Sequence, residues 1–142
     1  MRVYLVGCSK SKLPDKALAS EIYTSQLFRL ARDYVRSAMV EGDHWYILSA
    51  MFGALFPGRE IFPYDLKLPG RLDQREKWAS RAAWQLDITF KGQGDVTFVI
   101  LAGKNYAHPL AEKLRDMGYG VELPLEGMGV GKRMSWLKDN AI

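Results

Sequence analysis

A small, polar and cationic segment lies close to the beginning of the chain, immediately after a short apolar stretch. It consists of Gly7, Cys8, Ser9, Lys10, Ser11 and Lys12. Two hydroxyl groups, two ammonium groups and several backbone amides in one segment are the donors with which proteins bind phosphate. We therefore predict that Ser9, Lys10, Ser11 and Lys12 bind an anionic ligand. The alternative is a plain solvated loop.

Cys8 is the single cysteine of the sequence. Two lysines close by could activate its thiol as a nucleophile, so Cys8 is a candidate catalytic residue. The alternative is a small, buried and inert side chain at the end of a strand, as free cysteines usually are. One cysteine excludes an internal disulfide and a multi-cysteine zinc site, and the two histidines leave little for metal ligation. We predict neither a metal nor a cofactor.

A glycine-rich segment near the end of the chain has the sequence E-G-M-G-V-G-K, from Glu126 to Lys132. It matches neither the Walker phosphate-binding loop nor the G-x-G-x-x-G motif, because glycines and a hydroxyl residue that those motifs require are missing. Gly129 and Gly131 still permit close approach of a ligand, and Lys132 could bind its phosphate; a flexible turn is the alternative. Glu126 is a candidate general base or hydrogen-bond acceptor, or else a carboxylate that caps the next helix.

Two further segments carry residue types suited to recognising a base. Tyr64 could stack on the base while Asp65 holds its polar edge or takes part in catalysis. The alternative for this pair is a turn with a proline–tyrosine contact. Lys104, Asn105 and Tyr106 follow an apolar stretch and could contact the same ligand, although Asn105 could instead cap a helix.

Short apolar stretches alternate with amphipathic ones along the chain. They predict strands over Arg2–Val6, Trp45–Leu48, Val96–Leu101 and Tyr119–Leu123. With helices between the strands, this order predicts an α/β fold: a small, mostly parallel four-stranded sheet with helices on both faces, in a three-layer Rossmann-like or flavodoxin-like arrangement. Loops that follow parallel strands meet at one edge of the sheet, so the candidate residues, with Ser49 after the second strand, should share one mouth.

Polar residues that can cap helices predict where three of the helices begin. Pro109 is expected in the first turn of the third helix, and a fourth helix is expected over Lys132–Asn140. Between the second strand and the second helix, Ala54–Gly70 contains several prolines and glycines. These predict an extended segment without regular structure that folds over the edge of the sheet. The predicted starts are Thr24 or Ser25, Asp73, and Asn105 or His108.

The chain has 142 residues, which suits one domain, and we expect residues 1–142 to form a single domain. Twenty Lys and Arg against sixteen Asp and Glu give a net charge of +4, which favours polyanionic partners without requiring them. The beginning lacks the pattern of a signal peptide, and no apolar stretch approaches the roughly 18 residues that span a bilayer. We therefore expect a cytoplasmic protein with no membrane partner. The oligomeric state stays open.

Four segments together resemble a small, largely uncharacterised domain family of bacteria and their phages. The first is residues 7–12, and the others are Ile22–Phe28, Leu48–Leu55 and Ile61–Asp65. The same layout is distantly similar to the core domain of archaeosine synthase, which modifies a deazaguanine base in tRNA, and to the YaaA peroxide-stress proteins, which bind DNA. These resemblances imply a nucleobase or nucleic-acid setting. The site residues that they imply are Cys8, Ser9, Lys10, Lys12, Ser49, Tyr64 and Asp65.

The leading hypothesis is an enzyme that acts on a nucleobase, nucleoside or nucleotide, free or within DNA or RNA, by base modification or exchange. Its candidate catalytic residues are Cys8, Asp65 and Glu126. One alternative is a non-catalytic nucleic-acid-binding module, whose affinity would fall steeply with salt. Another is a protein that senses or sequesters a free nucleotide, which would bind it tightly without turnover.

Overall fold

A five-stranded sheet forms the centre of the computed structural model, which describes residues 1–141. The strands of the protein are β1 (Arg2–Gly7), β2 (Ala17–Leu18), β3 (His44–Ser49), β4 (Gly53–Leu55), β5 (Glu60–Ile61), β6 (Thr97–Leu101) and β7 (Gly120–Glu122). The strands of the five-stranded sheet follow the spatial order β4-β3-β1-β6-β7, and all neighbours are parallel except β4, which is antiparallel to β3. A separate antiparallel ribbon joins β2 and β5.

Helices cover the sheet on both sides because side chains of successive strand residues point to opposite faces. Val3 and Leu5 of β1 belong to one apolar cluster, whereas Tyr4 and Val6 belong to the other. The helices are α1 (Ala19–Ile22), α2 (Gln26–Ala38), α3 (Leu72–Phe90), α4 (Lys104–Asp116) and α5 (Val130–Asn140). Helices α3 and α4 contribute buried side chains to the first cluster, and α1, α2 and α5 contribute them to the second. The α/β class and the mostly parallel sheet are confirmed.

The sheet has a fifth strand because the chain reverses tightly after β3. Gly53 has a φ of +72°, a left-handed conformation that glycine adopts without strain, and it opens β4. The side-chain oxygen of Gln85 in α3 accepts a hydrogen bond of 2.8 Å from the amide of Ala54, which fixes β4 beside the helix. The prediction of four strands missed this edge strand.

The expectation that Ala54–Gly70 lacks regular structure is also wrong in its first half. Residues 53–55 form β4, and Glu60–Ile61 pair with Ala17–Leu18 in the two-stranded ribbon. Lys16 and Glu60 reinforce that pairing with an ion pair of 3.0 Å. Residues 56–59 and 62–71 contain no helix or strand, and we call the longer stretch, residues 62–71, the flap.

The helix starts agree with the predictions only in part. The hydroxyl of Ser25 accepts a hydrogen bond from the amide of Phe28, as expected for the cap of α2. Asp73 does not cap α3: the helix begins one residue earlier, and Asp73 pairs with Arg71 at 3.2 Å. Helix α4 begins at Lys104 behind Gly103, so Asn105 lies in its first turn.

Two further helix predictions change with these starts. Pro109 is the sixth residue of α4 rather than part of its first turn. Helix α5 begins at Val130, so Gly131 and Lys132 lie within the helix instead of in the loop before it. Among residues 1–141, no helix combines the length and the apolar composition needed to cross a lipid bilayer.

Candidate functional site

The carboxyl ends of β1 and β6 lie side by side, and the chain leaves them in opposite directions. From β1 it continues to β3 on one side, and from β6 it continues to β7 on the other. Such a reversal leaves a crevice outside the strand ends, where open α/β sheets bind their ligands. The two strand ends are close, since a Cβ atom added to Gly7 would lie 3.1 Å from the Cβ of Ala102.

Three adjoining cavities occupy this edge of the sheet. The central cavity, of about 410 Å³, lies directly above the crevice and includes Cys8, Lys104, Tyr106 and Arg133 in its wall. The glycine-side cavity, of about 580 Å³, shares Lys104 and Arg133 with it and extends to Glu126. The flap-side cavity, of about 150 Å³, shares Cys8 and Tyr106 with the central one. The cavities adjoin one another at these shared residues, and we refer to the three together as the groove.

The groove brings together residues that are far apart in the sequence. Lys10 and Asp65 line its flap-side end, Asn105 lines the centre and Glu126 lines the glycine side. The predicted site residues in its walls are Cys8, Ser9, Lys10, Lys12, Asp65, Lys104, Asn105, Tyr106, Glu126 and Gly129.

Five predicted site residues lie outside the cavity walls. Ser11 is exposed, and its carbonyl accepts a hydrogen bond of 3.1 Å from the Ser9 hydroxyl. Gly131 and Lys132 are exposed on α5. The other two, Ser49 and Tyr64, lie beneath the groove and bond to each other.

The hydroxyl of Tyr64 is the centre of a buried hydrogen-bond network. It lies 2.7 Å from the hydroxyl of Tyr23 and 2.7 Å from that of Ser49. The Ser49 hydroxyl also accepts from the amides of Met51 and Phe52, so it holds the turn after β3. These bonds anchor the flap to the sheet through its only tyrosine.

The ring of Tyr64 is covered by side chains of the protein. The ammonium group of Lys12 lies 4.3 Å from the ring centroid, and Phe52 meets the ring edge-on at 5.7 Å. The same ammonium group donates a hydrogen bond of 3.0 Å to the carbonyl of Lys10. In this conformation, therefore, Tyr64 positions the flap rather than offering an open stacking face.

Cys8 and Tyr106 form the contact between the two strand-end loops. The sulfur of Cys8 lies 3.5 Å from the hydroxyl of Tyr106, and the backbone amide of Cys8 donates to the carbonyl of Leu48 at 3.0 Å. Cys8 is half-buried and lines two cavities, so its thiol is not enclosed in the core. It is placed to meet a ligand in the groove.

Burial keeps the tyrosines of this region protonated. Removal from water and, after it, the charge of nearby Cys8 raise the pKa of Tyr64 to about 12. The pKa of Tyr106 is raised too, first by burial and then by the charge of Cys8. The Tyr106 hydroxyl therefore keeps its proton and is available to donate a hydrogen bond at the groove.

Replacing Tyr64 by phenylalanine is expected to lower the free energy of unfolding by about 1–3 kcal/mol, because the buried hydroxyl of Tyr23 loses its partner. Urea unfolding measures this loss. The matched control is Tyr46→Phe, because no hydrogen bond of the Tyr46 hydroxyl occurs within residues 1–141. An equal loss in both variants would show that the network contributes nothing specific.

The same variant should change the response to alkaline pH. A pKa raised by folding contributes stability that is complete below the ordinary tyrosine value of about 10 and is lost as the pH rises through the folded value. For Tyr64 that decline runs from about pH 10 to about pH 12. The decline should be smaller in Tyr64→Phe than in the wild type.

Two arginines and one side-chain contact that matter in the groove were not predicted. Arg133 lines two cavities and donates a hydrogen bond of 3.1 Å to the carbonyl of Met128, which shapes the glycine-rich turn. His108 lies 3.4 Å from a carboxylate oxygen of Glu126 across the glycine-side cavity. Arg75 of α3 donates to the side-chain oxygen of Asn105 at 3.2 Å. Arg133 lies on the predicted last helix, close to the glycine-rich turn, and this position was the signal in the sequence that could have identified it as a site residue.

One protein family matches nearly the whole chain. The model of DUF6884, a family of unknown function, matches residues 3–139. The chain belongs to DUF6884. Apart from Arg2, the first residue of β1, all strands of the sheet and all residues of the groove described above lie within the region matched by DUF6884. No curated protein and no solved structure shows significant similarity to the chain.

Proposed function

We propose that this protein is an enzyme acting on a nucleobase, nucleoside or nucleotide, with the phosphate bound in the central cavity and the base modified or exchanged beside Cys8. The observation that carries the proposal is the position of two cations. Lys104 is the first residue of α4 and Arg133 lies near the start of α5, and both line the central and glycine-side cavities.

Cations at these positions are unfavourable for the helices themselves. The beginning of a helix carries partial positive charge, so acidic residues stabilise it and basic residues do not. Neither α4 nor α5 has an acid in its first turn, and no side chain caps α4 or α5. An anion in the cavity would satisfy both the helix ends and the two side chains. Phosphate matches that requirement.

The sheet order supports the same location. Without β4, the parallel strands follow the order β3-β1-β6-β7, which is that of flavodoxin-like doubly wound sheets, and their ligands bind at the corresponding crevice. The finer fold assignment is part of this proposal. So is the distant likeness to the archaeosine synthase core domain and the YaaA proteins, which supports a nucleobase or a nucleic acid as the ligand.

The remaining roles follow from the positions of the side chains. Cys8 is the nucleophile of the proposed reaction, and the Tyr106 hydroxyl, 3.5 Å from its sulfur, is the hydrogen-bond donor that would orient it. Asp65 and Glu126 lie at opposite ends of the groove, where a carboxylate can accept hydrogen bonds from a base or a sugar. Lys10 and Lys12 add positive charge at the flap-side end.

Replacing both Lys104 and Arg133 by alanine is expected to weaken binding of a nucleoside monophosphate at least about thirtyfold. Charge-assisted hydrogen bonds contribute roughly 1.5–3 kcal/mol each, and thirtyfold corresponds to about 2 kcal/mol. Binding of the nucleoside without its phosphate should change less than about twofold. Isothermal titration with both ligands measures the difference.

The matched control is the double variant Lys91→Ala/Lys138→Ala, which removes the same charge outside the groove. Circular dichroism and thermal unfolding check that both double variants are folded. Equal affinities of wild type and Lys104→Ala/Arg133→Ala for the monophosphate would remove the phosphate site and, with it, the proposed function.

A further inference from the structure

The positive charge of the chain is concentrated beside the groove. Residues 8–16, 62–75, 102–108 and 123–133, the four segments that contribute most of its wall residues, contain nine Lys and Arg against four Asp and Glu. The rest of the chain contains eleven Lys and Arg against twelve Asp and Glu. The whole positive excess therefore lies in less than a third of the sequence. A single phosphate does not need so extended a field.

An exposed aromatic ring lies at one end of this cationic surface. Phe62, the first residue of the flap, is 70% exposed. The ammonium group of Lys16 lies 5.4 Å from its ring centroid and 3.0 Å from a carboxylate oxygen of Glu60, a surface ion pair that a phosphate would have to displace. An exposed phenylalanine beside a lysine offers a stacking face together with a phosphate contact. Proteins that bind single-stranded nucleic acids use this combination.

The flap connects this ring with the groove. Asp65 and Lys67, a few residues further along, line the flap-side cavity with Lys10. Asp65 is three positions after Phe62, so at most about 11 Å of chain separates them. Beyond the flap, Arg75 contacts Asn105, which lines the central cavity. The flap thus joins the exposed ring to cationic and polar side chains of the groove.

We propose that the nucleotide enters the groove as part of a single-stranded nucleic acid, whose neighbouring base stacks on Phe62 and whose backbone follows Lys16, Lys10 and Lys67. This inference rests on the proposed function and names its substrate class. A duplex is disfavoured, because its bases are stacked on each other and cannot stack on a side chain. An acidic protein would use the cations but would not need the exposed ring.

The test compares a short single-stranded oligonucleotide, in DNA and RNA forms, with the same sequence as a duplex and with the mononucleotide. Fluorescence anisotropy should show that one of the single strands binds at least about tenfold more tightly than the mononucleotide or the duplex. The logarithm of its affinity should fall with the logarithm of the salt concentration by about 0.7 per phosphate contacted. The preferred sugar is read from the two single-stranded arms.

Phe62→Ala should weaken single-strand binding about fivefold or more, as removal of a stacking ring does, and should leave mononucleotide binding unchanged. The matched control is Trp84→Ala, which removes another exposed aromatic ring from α3. Equal affinity for mononucleotide and single strand, tighter binding of the duplex, or an unchanged Phe62→Ala variant would each overturn this inference. Those outcomes leave the phosphate site intact, whereas loss of the proposed function appears separately as insensitivity to Lys104→Ala/Arg133→Ala.

Discussion

Replacing Cys8 by alanine is expected to abolish turnover of the nucleobase substrate while leaving its affinity within about twofold. In the proposed mechanism Cys8 is the nucleophile, and the cavities offer no second thiol to replace it. Binding depends instead on Lys104 and Arg133, which the substitution does not touch. Mass spectrometry of the products and titration of the substrate measure the two quantities independently.

Two further substitutions make this result interpretable. Ser80→Ala changes an exposed side chain of α3 outside the groove and should retain turnover. Tyr106→Phe removes the hydroxyl 3.5 Å from the sulfur and should slow the reaction without affecting the fold. Undiminished turnover in Cys8→Ala would exclude the nucleophile. Tight nucleotide binding with no turnover by the wild type would favour the sensor or the binding module instead.

Replacing Trp78 by alanine is expected to lower the free energy of unfolding by about 3–5 kcal/mol, the range found for large aromatic side chains removed from a core. Trp78 is 6% exposed, and its indole nitrogen donates a hydrogen bond of 2.8 Å to the carbonyl of Ser49. Its ring meets that of Tyr106 edge-on at 4.9 Å. One side chain of α3 therefore supports the loops after β3 and β6 together. Chemical denaturation measures the loss.

Two variants separate the contributions of Trp78. Trp78→Phe retains most of the packing and loses the hydrogen bond, so its smaller cost isolates the contact with Ser49. Trp84→Ala, on the exposed side of the same helix, should change the free energy of unfolding by no more than about 0.5 kcal/mol. A cost below about 1 kcal/mol for Trp78→Ala would show that the loops do not depend on this side chain.

The main strands could be predicted because their signal is local and strong. The apolar run Thr97–Leu101 is buried on both faces, as its composition predicts. Strand β4 could not be predicted in the same way, because a strand of three residues that begins with a glycine is too short to show the alternation of apolar and polar residues. Its pairing depends on the tight turn and on Gln85, which lies more than thirty residues away.

In the candidate site, too, some features follow from the sequence of neighbouring elements and others depend on contacts between distant residues. The edge of the sheet at which the loops meet follows from the order of strands and helices, so the convergence of Lys10, Asp65, Asn105 and Glu126 was predictable. The bonding of Tyr64 to Tyr23 and Ser49 was not, because it joins three segments through hydroxyl groups. A tyrosine that stacks on a ligand and one that anchors a flap look alike in a sequence.

The uneven charge distribution acts before any contact is made. Since the positive excess lies at the carboxyl ends of the strands, the molecule has an electric dipole moment directed along them. A polyanion in the surrounding solution exerts a torque that turns this end toward itself, so more collisions begin in a productive orientation. Counter-ions shorten the range of that field to about 8 Å at physiological ionic strength, and the encounter rate is therefore set partly by the medium.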